Sequence, residues 1–168
     1  MIDSTKPVAA LFDLDGVILD TETQYTVFWD STGEKYLHKK NCGKSLKGMS
    51  LELIYETFFE NDTSVTTAIT QELNAFESCM HMNYIAGVLS FIKELKTHGV
   101  KCAVVTSSNR QKMQSVYRQH PELPFLFDCI LTAELFARSK PAPDCYLLGA
   151  SVFGTIPENC FVFEDSIN

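Results

Sequence analysis

The sequence lacks the features by which a chain crosses or enters a membrane. No apolar run approaches the roughly 20 residues that a membrane-spanning helix needs. The first 13 residues, MIDSTKPVAALFD, contain an acid and a proline where a targeting signal would have a long apolar stretch. Internal repeats and low-complexity tracts are missing too. We therefore expect a cytoplasmic protein without a membrane partner.

Clustered cysteines and an excess of positive charge are also missing. The six cysteines are scattered, with no CxxC pair, so the sequence offers no zinc site and favours reduced thiols over disulfides. Lys and Arg total 14 against 21 Asp and Glu, which gives a net charge of −7. Because an acidic protein repels a phosphate backbone, the sequence argues against a nucleic-acid partner.

What the chain does have is enough apolar material for a sizeable core: 45% of its 168 residues are hydrophobic. Continuous apolar runs alternate with helical patterns, as in strands of a parallel sheet that is covered on both faces. The predicted buried strands are Val8–Phe12, Cys102–Val105, Cys129–Leu131 and Cys160–Phe163. This pattern predicts an α/β fold with a Rossmann-like parallel sheet.

Residues 17–85 differ from the rest because they contain no convincing strand. Leu51, Ile54, Tyr55 and Phe58 form one helical stripe instead. About 70 residues between two strands far exceed an ordinary connection, so we expect an inserted α-helical cap at 17–85 and a core built from 1–16 and 86–168. Since the insertion follows the first strand directly, we expect it over the end of that strand.

Two carboxylates, Asp13 and Asp15, follow the first predicted strand, and Gly16 comes next. The carboxyl end of a strand is where open α/β sheets bind ligands. Acids this close raise each other's pKa unless a cation lies between them, and Mg²⁺ prefers carboxylate oxygens. The alternative is an ordinary solvated turn at the end of a strand.

Three further polar segments follow later in the chain. The second strand ends in residues 106–109, Thr-Ser-Ser-Asn, where hydroxyls and N–H groups at a helix start suit a phosphate but also suit a helix cap. Lys140 precedes two prolines and could neutralise charge on a transferred phosphoryl group, or be a surface lysine. Glu164 and Asp165 follow the fourth strand and could complete a Mg²⁺ site, or form a common acid-rich junction.

In this order, the four segments FDLDGVILDTE, VVTSSN, SKPAPD and VFEDSIN resemble those of the haloacid dehalogenase-like hydrolase superfamily. The sequence is most similar to the branch of β-phosphoglucomutase and small-metabolite phosphatases, over essentially the entire chain. The resemblance implies a Rossmann-like core with a helical cap, Mg²⁺ as cofactor and a small phosphorylated metabolite as substrate.

The resemblance also assigns roles to these positions. Asp13 would be the nucleophile that becomes an aspartyl phosphate, Asp15 the general acid/base, and Lys140 the cation that ties Asp13 to the phosphate. The implied phosphate-binding residues are Thr106, Ser107, Ser108 and Asn109. The implied Mg²⁺ ligands are Asp13, Asp15 through its backbone carbonyl, Glu164 and Asp165.

Three departures from the pattern of the relatives shape the functional expectation. Tyr25 stands where the mutase subfamily has a cap histidine, and Leu51 stands where it has an arginine that anchors a second phosphate. Tyr25 and Lys47, which lies in the loop that relatives direct at the active site, are the substrate candidates in the cap. We expect a phosphatase, with a β-phosphoglucomutase or a non-catalytic remnant as alternatives. Relatives also continue past Asn168 with a helix and a strand, so we expect a truncated chain with an exposed fourth strand.

Overall fold

The computed structural model describes residues 3–46 and 49–166. Its strands are β1 (Ala9–Phe12), β2 (Lys101–Val105), β3 (Cys129–Leu131) and β4 (Cys160–Phe163). Its α-helices are α1 (Glu22–Thr32), α2 (Gly43–Leu46), α3 (Leu51–Phe59), α4 (Thr63–Cys79), α5 (Val88–Thr97), α6 (Arg110–Gln119), α7 (Leu123–Leu126) and α8 (Asp144–Val152). A π-helix, Gly33–Leu37, and two 3₁₀ turns, Ala133–Leu135 and Pro157–Asn159, complete the regular structure of the described residues.

The strands form one parallel sheet in the order β3-β2-β1-β4, which confirms the α/β fold predicted from the apolar runs. The register pairs Phe12 with Val104 on one side and with Phe163 on the other. The carboxyl ends of β1, β2 and β4 therefore meet at one edge of the sheet. All four residues of β1 are buried, because it is the inner strand between β2 and β4.

Of the two expectations for the fourth strand, the burial predicted from its apolar run was wrong, and the exposure expected for an edge strand was confirmed. Phe161 is 51% exposed and Val162 is 45% exposed. The cause is topological, since β4 is an edge strand that pairs with β1 on one side only among the described strands. A continuous apolar run thus identified the strand but not its degree of burial.

The chain divides into two compact units. One unit comprises Met1–Asp20 and Met82–Asp165 and contains the sheet, and the other comprises Thr21–His81 together with Ser166–Asn168. Within 21–81 the described elements are helical, with a core of its own formed by Trp29, Cys42, Leu46, Ile54, Phe59, Ile69 and Leu73. None of the described helices is both long enough and apolar enough to cross a membrane.

Asn159 fastens the N-terminal segment to the sheet unit. Its side chain is fully buried, accepts a hydrogen bond from the Asp3 N–H at 2.7 Å, and donates to the carbonyl oxygens of Asp3 at 2.8 Å and Lys6 at 3.3 Å. A single buried amide thus forms hydrogen bonds with several backbone groups far from it in sequence, and all of these bonds are lost if the amide is removed.

We expect Asn159→Ala to lower the free energy of unfolding by about 2–3 kcal/mol, because a fully buried side chain loses three hydrogen bonds to the N-terminal segment. Urea unfolding followed by circular dichroism measures this. Tryptophan fluorescence would not, since the only tryptophan, Trp29, lies in the helical unit. Exposed Glu158→Ala is the matched control, and an equal loss in both variants would refute the anchoring role.

Candidate active site

The turn after β1 places Asp13 and Asp15 on either side of a buried residue. Leu14 between them is completely buried. The Asp13 N–H donates to the Phe163 carbonyl at 2.9 Å, which ties this turn to β4. The Gly16 N–H donates to the Leu19 carbonyl at 2.8 Å and so closes the turn on itself. These backbone hydrogen bonds therefore hold the turn that carries both carboxylates at the carboxyl edge of the sheet.

Four of the predicted site residues come together there. Lys140 Nζ lies 3.0 Å from Asp13 Oδ1 and 2.7 Å from Glu164 Oε2. Carboxylate oxygens of Asp13, Glu164 and Asp165 all lie within 4.8 Å of one another. The Lys140 ammonium is thus shared by two carboxylates from different strands, and a third carboxylate completes the group.

Burial sets the electrostatics of this group. Desolvation, reinforced by the charges of Glu164 and Asp15, raises the pKa of Asp13 to about 7 despite the opposing charge of Lys140. Burial alone would lower the pKa of Lys140, but Asp13 and the hydrogen bond to Glu164 outweigh it and raise that pKa above its usual range. The cluster therefore holds more negative charge than one lysine balances.

A divalent cation would balance the excess negative charge of the three carboxylates. The donor set consists of carboxylate oxygens, which Mg²⁺ prefers, and the three acids already lie close enough to share an ion. The Asp15 carboxylate is not one of the three in this cluster, which leaves its backbone carbonyl as the group that the resemblance assigns to the metal. Tyr146 donates to Glu164 Oε2 at 2.6 Å and so restrains that carboxylate alongside Lys140.

Gly16 is the position where the local backbone makes the site possible. Its φ is +74°, and a Cβ built there would lie 2.3 Å from Asp165 Oδ2. Any side chain at residue 16 would therefore strain the backbone and push the Asp165 carboxylate away from Asp13 and Glu164.

We expect Gly16→Ala to cost about 1–2 kcal/mol of stability and to raise the Mg²⁺ concentration needed for half-maximal activity by roughly 10-fold or more. Gly154→Ala is the matched control, because Gly154 also has a positive φ, +63°, but a Cβ there meets nothing within 4 Å. It should lose similar stability and keep the Mg²⁺ requirement. If both variants needed the same higher Mg²⁺ concentration, the role of Asp165 as a Mg²⁺ ligand would be contradicted.

In the segment after β2, some polar side chains bond to the local backbone and one bonds to Asp15. The Thr106 hydroxyl oxygen is buried and accepts the Ser108 N–H at 3.0 Å. Asn109 accepts the Lys112 N–H at 2.9 Å and so caps α6, which is the capping alternative that the sequence had left open. Ser107 is exposed at the end of the strand, whereas the Ser108 hydroxyl donates to Asp15 Oδ2 at 3.1 Å.

Lys112 is a site residue that sequence analysis missed. It is 3% exposed, lies in the first turn of α6, and forms an ion pair with Asp15 Oδ2. Its neighbours in sequence are mostly polar, so the local pattern contains no signal that this lysine is buried. Tyr146 was missed for the opposite reason, since it fitted the apolar stripe of α8.

The cap candidates lie in the helical unit or outside the described residues. The Tyr25 hydroxyl donates to the buried carboxylate of Glu77 at 2.7 Å. Leu51 packs against the apolar core of the helical unit. Lys47 falls outside the residues that the structure describes.

With this fold and this group of residues, the chain belongs to the haloacid dehalogenase-like hydrolases: the model of that family matches residues 10–168. It is 29% identical over 174 residues to a Drosophila melanogaster protein named "Probable pseudouridine-5'-phosphatase", covering 97% of this chain and 75% of the relative. It is 27% identical over 172 residues to the β-phosphoglucomutase of Bacillus subtilis, covering 94% and 76%.

The fold is shared with solved structures, and the lengths of the relatives vary widely. A HAD hydrolase structure from Entamoeba histolytica matches with a TM-score of 0.77 at 22% identity, covering 95% of this chain and 76% of that one. The chain spans only 17% of the Arabidopsis thaliana protein SUPPRESSOR OF QUENCHING 1, to which it is 29% identical over 185 residues. The relatives thus include phosphatases and a phosphoglucomutase, which indicates hydrolase or phosphotransferase chemistry in general.

Proposed function

We propose that the protein is a Mg²⁺-dependent phosphatase that hydrolyses a small phosphorylated metabolite through an aspartyl phosphate at Asp13. The observation that carries this proposal is the Asp13 carboxylate, 13% exposed, 3.0 Å from the Lys140 ammonium and within 4.8 Å of two further acids. Phosphoryl transfer needs mainly positioning and charge neutralisation, and this group supplies both.

In the first step, an Asp13 oxygen attacks phosphorus and the bond from phosphorus to the ester oxygen breaks. Asp15 gives its proton to the departing oxygen, so the product leaves as a neutral alcohol. Thr106 and the N–H of Ser107 hold the phosphoryl oxygens at the end of β2. The Lys140 charge offsets the negative charge around Asp13.

In the second step, water attacks phosphorus while Asp15 takes up a proton from it. The bond between the Asp13 oxygen and phosphorus breaks, which releases inorganic phosphate and restores both carboxyl groups to their starting states. One acid thus serves as proton donor and then as proton acceptor within a single turnover. Nothing else is consumed besides water.

Asp13, Glu164, Asp165 and the backbone carbonyl of Asp15 would hold Mg²⁺. The bound ion supplies positive charge that stabilises the phosphoryl oxygens in the transition state. The pKa of Asp13, raised by burial to about 7, supports this assignment, because a cation would offset the cost of keeping that carboxylate ionised.

The cap favours a phosphatase over a mutase. A mutase must hold a second phosphate, and the residue that the mutase pattern uses as an anchor is here Leu51, which packs into an apolar core. No arginine occurs anywhere between residues 17 and 85. Tyr25, at the position of the mutase histidine, directs its hydroxyl to Glu77.

A substrate screen with and without Mg²⁺ tests the proposal. We expect release of inorganic phosphate from one or more small phosphate monoesters in Mg²⁺, and loss of that activity in excess EDTA that returns when Mg²⁺ is restored. With glucose 1-phosphate, formation of glucose 6-phosphate without free phosphate would establish the mutase instead. Failure to act on any phosphate monoester would support the non-catalytic alternative.

A further inference from the structure

Lys112 occupies a position that is costly for a lysine. Its side chain is 4% exposed, and a buried ammonium loses most of its hydration. It also lies in the first turn of α6, where the helix dipole disfavours positive charge. A cation is retained there only if a specific partner compensates for both effects, and the Asp15 carboxylate is such a partner.

The contact between Lys112 and Asp15 is built by two adjacent loops. The Asn109 side chain caps α6 by accepting the Lys112 N–H, which fixes the backbone of the lysine. Ser108, one residue earlier, donates its hydroxyl to Asp15 Oδ2 at 3.1 Å, and the Lys112 ammonium bonds to that same oxygen. Because both donors bond to the same oxygen, the side chain of Asp15 is restricted in its rotation about χ1 and χ2.

We propose that Lys112 is a positioning residue for the acid/base step: with Ser108 it holds Oδ2 of the Asp15 carboxyl group, so that Oδ1 is the oxygen that carries the proton and gives it to the leaving oxygen. This inference rests on the proposed phosphatase function. Lys112 contacts Asp15 and acts on the reaction through that carboxyl group. It differs in this from Lys140, which contacts the proposed nucleophile, Asp13, directly.

The leaving group tests this role. An alkyl phosphate needs a proton on its departing oxygen, whereas 4-nitrophenyl phosphate releases a stable anion that does not. We expect Lys112→Met to lower kcat/KM for an alkyl phosphate substrate by roughly 10²-fold, the scale of general acid catalysis. With 4-nitrophenyl phosphate the loss should stay below about 5-fold, because the proton is not needed there. Ser108→Ala should likewise lower kcat/KM more for the alkyl phosphate than for 4-nitrophenyl phosphate.

The controls separate positioning from simple support of the fold. Lys101→Met removes an exposed lysine that pairs with Asp128 on the surface, and it should leave kcat/KM unchanged for both substrates. In an Asp15→Asn background, Lys112→Met should cause no further loss. Equal losses on both substrates, or a full additional loss in the Asp15→Asn background, would overturn the positioning role. A wild-type protein inactive on both substrates would overturn the proposed function and this inference with it.

Discussion

An Asp13→Asn variant is expected to lose at least roughly 10⁴-fold in kcat, because an amide oxygen cannot serve as the nucleophile that forms the phosphoenzyme. The fold should survive. The substitution removes a carboxylate whose burial already raises its pKa to about 7, so it relieves a desolvation cost. Steady-state hydrolysis of the best substrate from the screen, with circular dichroism to verify folding, measures the effect.

Asp144→Asn is the matched control for that variant. Asp144 pairs with Arg138 at 2.8 Å, and the Arg138 side chain is 70% exposed, so the pair contributes little to stability. The control should keep nearly wild-type activity. If Asp13→Asn retained comparable activity, residue 13 could not be the nucleophile, whatever the geometry of the cluster.

The second large effect is expected from Lys140→Met. Lys140 is 12% exposed and is shared by Asp13 and Glu164, so its loss leaves two largely buried carboxylates, 13% and 19% exposed, without their cation. We expect a loss of about 3–5 kcal/mol in stability and roughly 10²- to 10³-fold in kcat. Thermal unfolding and steady-state kinetics measure the two effects.

Addition of Mg²⁺ makes this experiment more specific. A cation bound by Asp13, Glu164 and Asp165 would replace part of the missing positive charge, so Mg²⁺ should stabilise Lys140→Met more than it stabilises the wild type. Lys101→Met removes an exposed pair at 3.4 Å and should cost at most about 0.5 kcal/mol. An unchanged stability of Lys140→Met would show that the buried carboxylates do not depend on the lysine.

The strands and the polar residues that end them could be predicted from the sequence because both are local patterns. The bounds of β3 and β4 agree with their apolar runs, and the other two strands differ from prediction by one residue at the N-terminal end. The parallel pairing of β1 with β4, which the local patterns do not specify, then brings Asp13 close to Glu164 and Asp165. Local pattern and topology together therefore locate the acids.

Residues whose role depends on a partner far away in sequence could not be predicted in this way. Lys112 pairs with Asp15, which lies 97 positions earlier, and Tyr146 with Glu164, 18 positions later. The mostly polar sequence of α6 does not indicate that Lys112 is buried. The apolar pattern of α8 does not indicate that the Tyr146 hydroxyl bonds to an acid. The exposure of Phe161 follows from the strand order, which the run of apolar residues does not specify.

Trapping the covalent intermediate tests the central claim most directly. Wild-type protein is mixed with substrate and Mg²⁺, quenched in acid, and reduced with borohydride, which converts an aspartyl phosphate to homoserine. Peptide mass spectrometry should find homoserine at residue 13, and Asp13→Asn should give none. Substrate turnover with an unmodified residue 13 under these conditions, or with the label at another acid, would contradict the account.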